Sequence, residues 1–250
     1  MQDAGSYPQP NAMADSLQPG AKLVLGIDTC GPSGTVALGR LCVPVAGAEL
    51  EILGQIELEG RSYSATLIAA VGELLGHAGL RLKDVNCLVA VNGPGSFTGV
   101  RVGLSAVKGL TEAAGIQVVA VSRLEVLAAK AGVPSAALDA HRAEVFLRLA
   151  LPGREPVELL AGAAELAAIV PAPSEIALCD DAATAMLQAV WPSARLVRVP
   201  PPTAADALKL AAARVAAGEF ADPLLLDGHY LRRSDAEIFG EPASKAAQKA

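Results

Sequence analysis

The stretch Asn92-Gly93-Pro94-Gly95-Ser96-Phe97-Thr98-Gly99-Val100-Arg101-Val102-Gly103 has the residue types of an anion site. Its glycines permit positive φ and close backbone approach, its proline stiffens the turn, and the opening N–H groups of a following helix attract phosphate or carboxylate. A plainer use is to let a helix pack tightly on a sheet. The spacing matches neither the dinucleotide nor the Walker pattern, and no lysine follows the second glycine. Asp28 ends one apolar run and Asp139 another, the places where open α/β sheets hold functional carboxylates. Two aspartates at equivalent strand ends of two related halves would face the cleft between them, as a nucleotide with Mg²⁺ requires. Against this, Cys30 stands two residues after Asp28, where a phosphate-binding turn needs glycine. The candidate cofactor contacts are Asp28, Thr29, Gly93, Gly95 and Ser96, with Asp28 also readable as a structural turn residue.

Other chemistry has little support. His77, His141 and His229 share no i, i+4 spacing, so no helical metal pair is expected and no metal ligand is assigned. His141 lies two residues after Asp139 and could hydrogen-bond in the cleft. No G-x-S-x-G elbow surrounds Ser96, which sits on a loop where Ser96 or Thr98 can cap the following helix, and no catalytic residue is assigned.

Positioning these residues requires strands and helices in a definite order. Lys22 to Asp28 reads as a strand, the turn Gly31-Pro32-Ser33-Gly34 as a hairpin, and Thr35 to Leu41 and Glu49 to Leu58 as the next two strands. A helix at about Ser62 to Ala78, a buried strand at Val85 to Val91, and a helix with Val100, Leu104, Val107, Thr111 and Ala114 on one stripe complete βββαβαβ by about Val121. The pattern then repeats more loosely. Helices are expected at Ser122 to Ala131, Ala161 to Val170, Ala182 to Val190 and Ala204 to Ala217, with strands at Ser135 to Asp139, Glu144 to Leu151, Glu175 to Cys179 and Leu196 to Val199. Thr203 caps the last helix, Gly218 ends it, and an extended segment follows at Ala221 to Leu231.

The first helix carries two apolar stripes, Tyr63, Leu67, Ala70 and Leu74 beside Ile68, Val71, Leu75 and Ala78. Roughly 100° of apolar face is enough to cover a sheet, and this helix offers nearly twice that. The surplus points to a partner.

With 250 residues the chain can form two α/β halves, and its 52 % hydrophobic content comes mostly from Ala, Val and Leu. A net charge of −6 opposes a broad nucleic-acid surface but leaves room for local basic patches. The scattered Cys30, Cys42, Cys87 and Cys179 suit a reduced, cytoplasmic chain. No stretch approaches the ~18 apolar residues of a membrane span, and the first twenty residues read as a flexible tail rather than a secretory signal.

Gly26 to Thr29, Gly93 to Gly103, Val121 to Leu124, Leu138 to Phe146 and Tyr230 to Arg232 occur in that order, and together they resemble the TsaB (YeaZ) family. The resemblance spans about Leu23 to Arg233. It implies α/β architecture with two actin-like (ribonuclease H-like) domains, mixed sheets flanked by helices: tail 1–20, N-terminal domain 21–121, C-terminal domain 122–233, polar tail 234–250. It implies a non-catalytic scaffold for a TsaD-like transferase that makes threonylcarbamoyladenosine in tRNA, with a TsaE-like ATPase joining. In TsaD two helical histidines hold a metal; the matching helix here begins Ser62-Tyr63-Ser64. The expected partner surface is Tyr63, Leu67, Val71, Leu74, Val100, Leu104, Val107 and Thr111, which would also serve a homodimer. Contact with tRNA is expected only through the complex, membrane contact is not expected, and no cofactor is implied beyond a nucleotide at the assembled interface. The alternative is a self-standing ATP-dependent hydrolase or peptidase of the same superfamily.

Overall fold

The computed structural model describes residues 20–43, 47–59 and 63–232. Both expected tails, apart from Gly20, and the expected first residue of the first helix, Ser62, lie outside these residues. Strands β1 (Lys22–Asp28), β2 (Gly34–Cys42) and β3 (Glu49–Leu58) form an antiparallel meander, and β4 (Cys87–Val91) and β5 (Gln117–Val121) add in parallel on the other side of β1. The sheet order is β3-β2-β1-β4-β5. Helix α1 (Tyr63–His77) follows β3, and α2 (Phe97–Ala114) joins β4 to β5.

After α3 (Arg123–Ala131), the second half repeats the plan with β6 (Ala136–Asp139), β7 (Glu144–Leu149), β8 (Val157–Gly162), β9 (Glu175–Leu178) and β10 (Arg195–Arg198). Its order, β8-β7-β6-β9-β10, matches the first sheet strand for strand. Short α4 (Ala163–Ala168) and α5 (Asp181–Val190) occupy the places of α1 and α2, and α6 (Ala204–Ala217) that of α3. Both sheets are mixed and flanked by helices, the expected fold class. The expected helix at Ala161 to Val170 is corrected: Val157–Gly162 is an edge strand paired antiparallel with β7, and only Ala163–Ala168 is helical. The run Leu159-Leu160-Ala161 fits either period, and pairing with β7 decides it.

The last helix of each half packs on the other half's sheet. Helix α3 lies on β6, β7 and β9, while α6, grouped by sequence with residues 122–233, lies across β1, β2 and β4. Its buried face, Ala204, Ala207, Leu208, Ala211 and Val215, joins the first core. Small side chains are needed there: a Cβ on Gly26 would sit 2.9 Å from the Ala204 carbonyl oxygen. Lys130 bridges α3 to α6 through Asp206, Nζ to Oδ2 at 2.7 Å. Adjacent β1 residues point to opposite faces, so Gly26 meets α6 while Ile27 approaches Gly103 of α2.

Candidate functional site

The β1–β2 turn sits where the two halves meet. Asp28 is 2 % exposed, and its Oδ1 accepts the N–H of Cys30 at 2.8 Å, closing a tight side-chain turn. Oδ2 lies 3.4 Å from Arg123 Nε, and Arg123 is 6 % exposed. Arg123 opens α3, and its backbone N–H donates to the Gly93 carbonyl at 2.7 Å. The guanidinium fills the space over Gly31, where any Cβ would collide with it. Burial pulls the Arg123 pKa down, but Asp28 and its neighbours outweigh that and raise it, so the guanidinium stays charged. Burial first, and then Asp28, pushes the Cys30 thiol well up, leaving it a protonated donor to the Val91 carbonyl at 3.3 Å. Tyr63, the first residue of α1, closes the turn from the other side, its hydroxyl donating to the carbonyls of Gly31 at 2.9 Å and Pro32 at 3.0 Å.

The glycine loop packs against this turn. Ser96 caps α2 by accepting from the Gly99 N–H at 3.3 Å, while its own N–H donates to the Cys30 carbonyl at 2.8 Å. Gly93 has φ of 111°. A Cβ on Gly95 would strike the Cys30 carbonyl, one on Gly99 the Thr29 carbonyl, and one on Gly103 the Thr29 hydroxyl, which donates to the Gly99 carbonyl at 2.7 Å. The glycines therefore let the chain's own carbonyls approach the start of α2. All five candidate cofactor contacts, Asp28, Thr29, Gly93, Gly95 and Ser96, lie together here, with backbone and Arg123 filling the space between them.

Three further groups of polar residues lie outside the turn. Glu158 of β8 accepts from Ser122 Oγ at 2.6 Å and Arg148 Nη1 at 3.1 Å, and faces His229 Nε2 at 2.9 Å. Burial would raise its pKa, but His229, Ser122 and Arg148 outweigh burial and hold it below the usual range. The segment after α6 crosses from one half to the other: Ala221 bridges to Val118, His229 N–H donates to the Asn92 carbonyl at 2.7 Å, and Arg232 bonds Glu144. Beneath it is an open cavity of about 290 Å³ lined by Asn92, Asp222, Asp227 and His229 among others. In the second half, Asp139 Oδ1 accepts the His141 N–H at 2.8 Å and Oδ2 lies 2.9 Å from His141 Nδ1, with His141 86 % exposed.

Residues 53–153 match the family model described as TsaD, tRNA N6-adenosine threonylcarbamoyltransferase. The tRNA threonylcarbamoyladenosine biosynthesis protein TsaB of Haemophilus influenzae is 38 % identical over 88 residues, 35 % of this chain and 35 % of that protein. An uncharacterized protein of Mycobacterium tuberculosis is 31 % identical over 217 residues, 86 % of this chain and 93 % of its own length. The solved structure of YeaZ from Pseudomonas aeruginosa superposes with a TM-score of 0.62 at 27 % identity, over 84 % of this chain and all of that one. This chain belongs to the TsaB (YeaZ) family. Its match to the curated Haemophilus TsaB spans about a third of that protein.

In this TsaB-family chain the residues expected to form a partner surface face inward. Tyr63, Leu67, Val71, Leu74, Val100, Leu104, Val107 and Thr111 are all buried against the chain's own sheet and turn. An apolar stripe at helical period marks the face that is covered, and here the sheet beneath covers it. The faces turned outward carry Ala65, Ile68, Ala69, Gly72 and Gly76 on α1, and Arg101, Ser105, Gly109 and Ala113 on α2. The sequence assigns no site role to Arg123, Gly31 or Glu158. A charged residue within the motif Val-Ser-Arg-Leu, at the mouth of an apolar helix, was the available signal for Arg123. No helix among the described residues is long and apolar enough to cross a membrane.

Proposed function

We propose that this chain is a non-catalytic subunit of the apparatus that makes threonylcarbamoyladenosine in tRNA, supporting a TsaD-like transferase. The observation that carries this is the outer face of α1 and α2. Glycine inside a helix costs about 1 kcal/mol relative to alanine, yet Gly72 and Gly109 lie mid-helix where an added Cβ would meet nothing within 4 Å. Nothing within the described chain requires them to be glycine. A helix from another molecule approaching closely does, since interaxial distance is set by the side chains at the contact. Ile68, 53 % exposed, supplies an apolar anchor beside them.

The non-catalytic half of the reading is supported at Asp28. A carboxylate needed for metal or phosphate chemistry must face its substrate, and this one is paired with Arg123 beneath the glycine loop. A hydrolase would need that pair opened. A TsaE-like ATPase, a nucleotide at the assembled interface, a homodimer through the same helical face and tRNA reached through the assembly complete the reading.

The test is co-purification of the tagged chain with its host's TsaD-like protein. Gly72→Leu with Gly109→Leu should abolish the complex while leaving the melting temperature equal or higher, because leucine is the better helix former. A complex that survives both substitutions overturns the assignment of this face.

A further inference from the structure

The edge where the glycine loop meets the crossing segment carries a feature the scaffold reading does not use. Phe97, the first residue of α2, is 42 % exposed, and Tyr230 is 40 % exposed. Their ring centroids are 5.3 Å apart with planes at 49°. The Arg101 guanidinium lies 3.7 Å from the Phe97 ring centroid. Aromatic residues are only 3 % of this chain; among the described residues Tyr63, Phe146 and Trp191 are buried and Phe220 is exposed away from this pair. Two exposed rings meeting under an arginine are therefore a concentration of scarce residues.

The pair is held in place. Tyr230 folds back over Gly228, where a Cβ would come within 2.5 Å of the ring, and its N–H donates to the Gly228 carbonyl at 3.0 Å. One residue earlier, the His229 N–H is fixed to the Asn92 carbonyl at 2.7 Å. Two residues later, Arg232 reaches Glu144 and the His141 carbonyl. The edge thus continues to the β6–β7 turn, where His141, Arg142 and Ala143 hold φ of 59°, 56° and 58°. Non-glycine residues adopt this region at a cost and cluster at functional sites. The turn presents His141 and Arg142 outward. The neighbouring acids are engaged internally, Glu144 with Arg232 and Asp139 with His141.

We infer that this edge binds a single-stranded stretch of RNA, with bases stacking on Phe97 and Tyr230 and phosphates meeting Arg101 and Arg142. Rigid exposed aromatics beside guanidinium groups are the shared chemistry of single-strand readers, whose rings accept any base and whose cations follow the backbone. The net charge of −6 opposes a broad footprint, and a local strip of this kind is compatible with it. The inference rests on the tRNA-modification reading for the source of the RNA, and on geometry for the surface.

The test is fluorescence anisotropy of a labelled single-stranded RNA of about twelve nucleotides, within the site sizes of such readers, with the full chain at low salt. Phe97→Leu and Tyr230→Leu keep bulk but remove the ring, and each should weaken binding at least about fivefold, the lower end of one lost stack. Tyr230→Phe should retain the affinity. Arg101→Gln should flatten the dependence of log affinity on log salt by about 0.7, one phosphate contact on a single strand. Wild-type chain that does not bind, or Leu variants that bind equally well, overturns the proposal. So does a Phe97→Leu chain that binds RNA normally but no longer co-purifies with the transferase, which would make the edge a protein-docking surface. A parallel assay of tRNA threonylcarbamoylation with the transferase separates the two readings. Modification supported by a chain that does not bind RNA sinks this inference alone; RNA binding without support of modification sinks the scaffold reading and leaves the surface standing.

Discussion

The β1–β2 and β6–β7 turns begin with the same device and end in opposite environments. In each, an aspartate at the end of the half's first strand accepts, at 2.8 Å through Oδ1, the N–H two residues on: Cys30 for Asp28 and His141 for Asp139. In each, Oδ2 faces a basic group: Arg123 Nε at 3.4 Å or His141 Nδ1 at 2.9 Å. Strand order predicts this equivalence, since the two sheets superimpose in topology. The difference is cover. Helix α3 brings Arg123 over Asp28 and seals it at 2 % exposure, whereas His141 stands in solvent. The turn has the same geometry in both halves, and the crossing of the third helix decides which of the two is enclosed.

Removing Arg123 would break that comparison hardest. Arg123→Ala leaves a carboxylate buried without its counter-charge, which costs about 3–5 kcal/mol. Urea unfolding should show the loss, and Arg123→Met together with Asp28→Leu should recover most of it, because a well-packed apolar pair replaces a buried ion pair at little cost. If Arg123→Ala unfolds at the wild-type urea midpoint, Asp28 is not held by the pair and the two turns differ in less than cover.

A smaller effect sharpens the same point within the second half. Glu158 shows that a carboxylate there becomes structural when it is enclosed, its side chain being 7 % exposed. Its folded pKa lies below the free value of about 4.3. Its contribution is therefore fully present above that value and is lost as pH falls through the lower folded value. Glu158→Gln should cost about 1–2 kcal/mol at neutral pH and flatten the acid limb of a stability–pH curve below about pH 4.5. An unchanged limb would mean that His229, Ser122 and Arg148 do not hold the charge.

Much of this arrangement was legible in the chain. Period-2 and period-3.6 patterns, with their turn residues, bound β1, β3 and α6 to the residue, because caps and breakers such as Thr203 and Gly218 sit next to strong periodic runs. The glycine loop was equally plain, and of the two possible caps, Ser96 and Thr98, the structure uses Ser96. Strand β8 was not, since Val157-Glu158-Leu159-Leu160-Ala161 has no period of its own and is a strand only because β7 lies beside it. Leu67, Leu74 and Leu104 are apolar because their own sheet covers them, and the exposed small residues between them carry no hydrophobic signal. Arg123 escaped notice because its partner lies 95 positions earlier in the chain, a distance (123 − 28) that local periodicity does not span.

The smallest expected effect is at the exposed copy of the turn. His141→Ala removes a side-chain contact to Asp139 whose histidine is 86 % exposed, and exposed polar pairs of this kind contribute at most about 1 kcal/mol and often nothing measurable. The Asp139 side chain keeps its bond to the backbone N–H of residue 141 whatever side chain stands there, so the turn itself is retained. Stability should shift by no more than about 0.5 kcal/mol, measured by urea unfolding beside the Arg123→Ala chain. A loss comparable to that of Arg123→Ala would show that solvent exposure does not separate the two aspartate turns, and that the open copy carries structural strain its hydrogen bonds do not reveal.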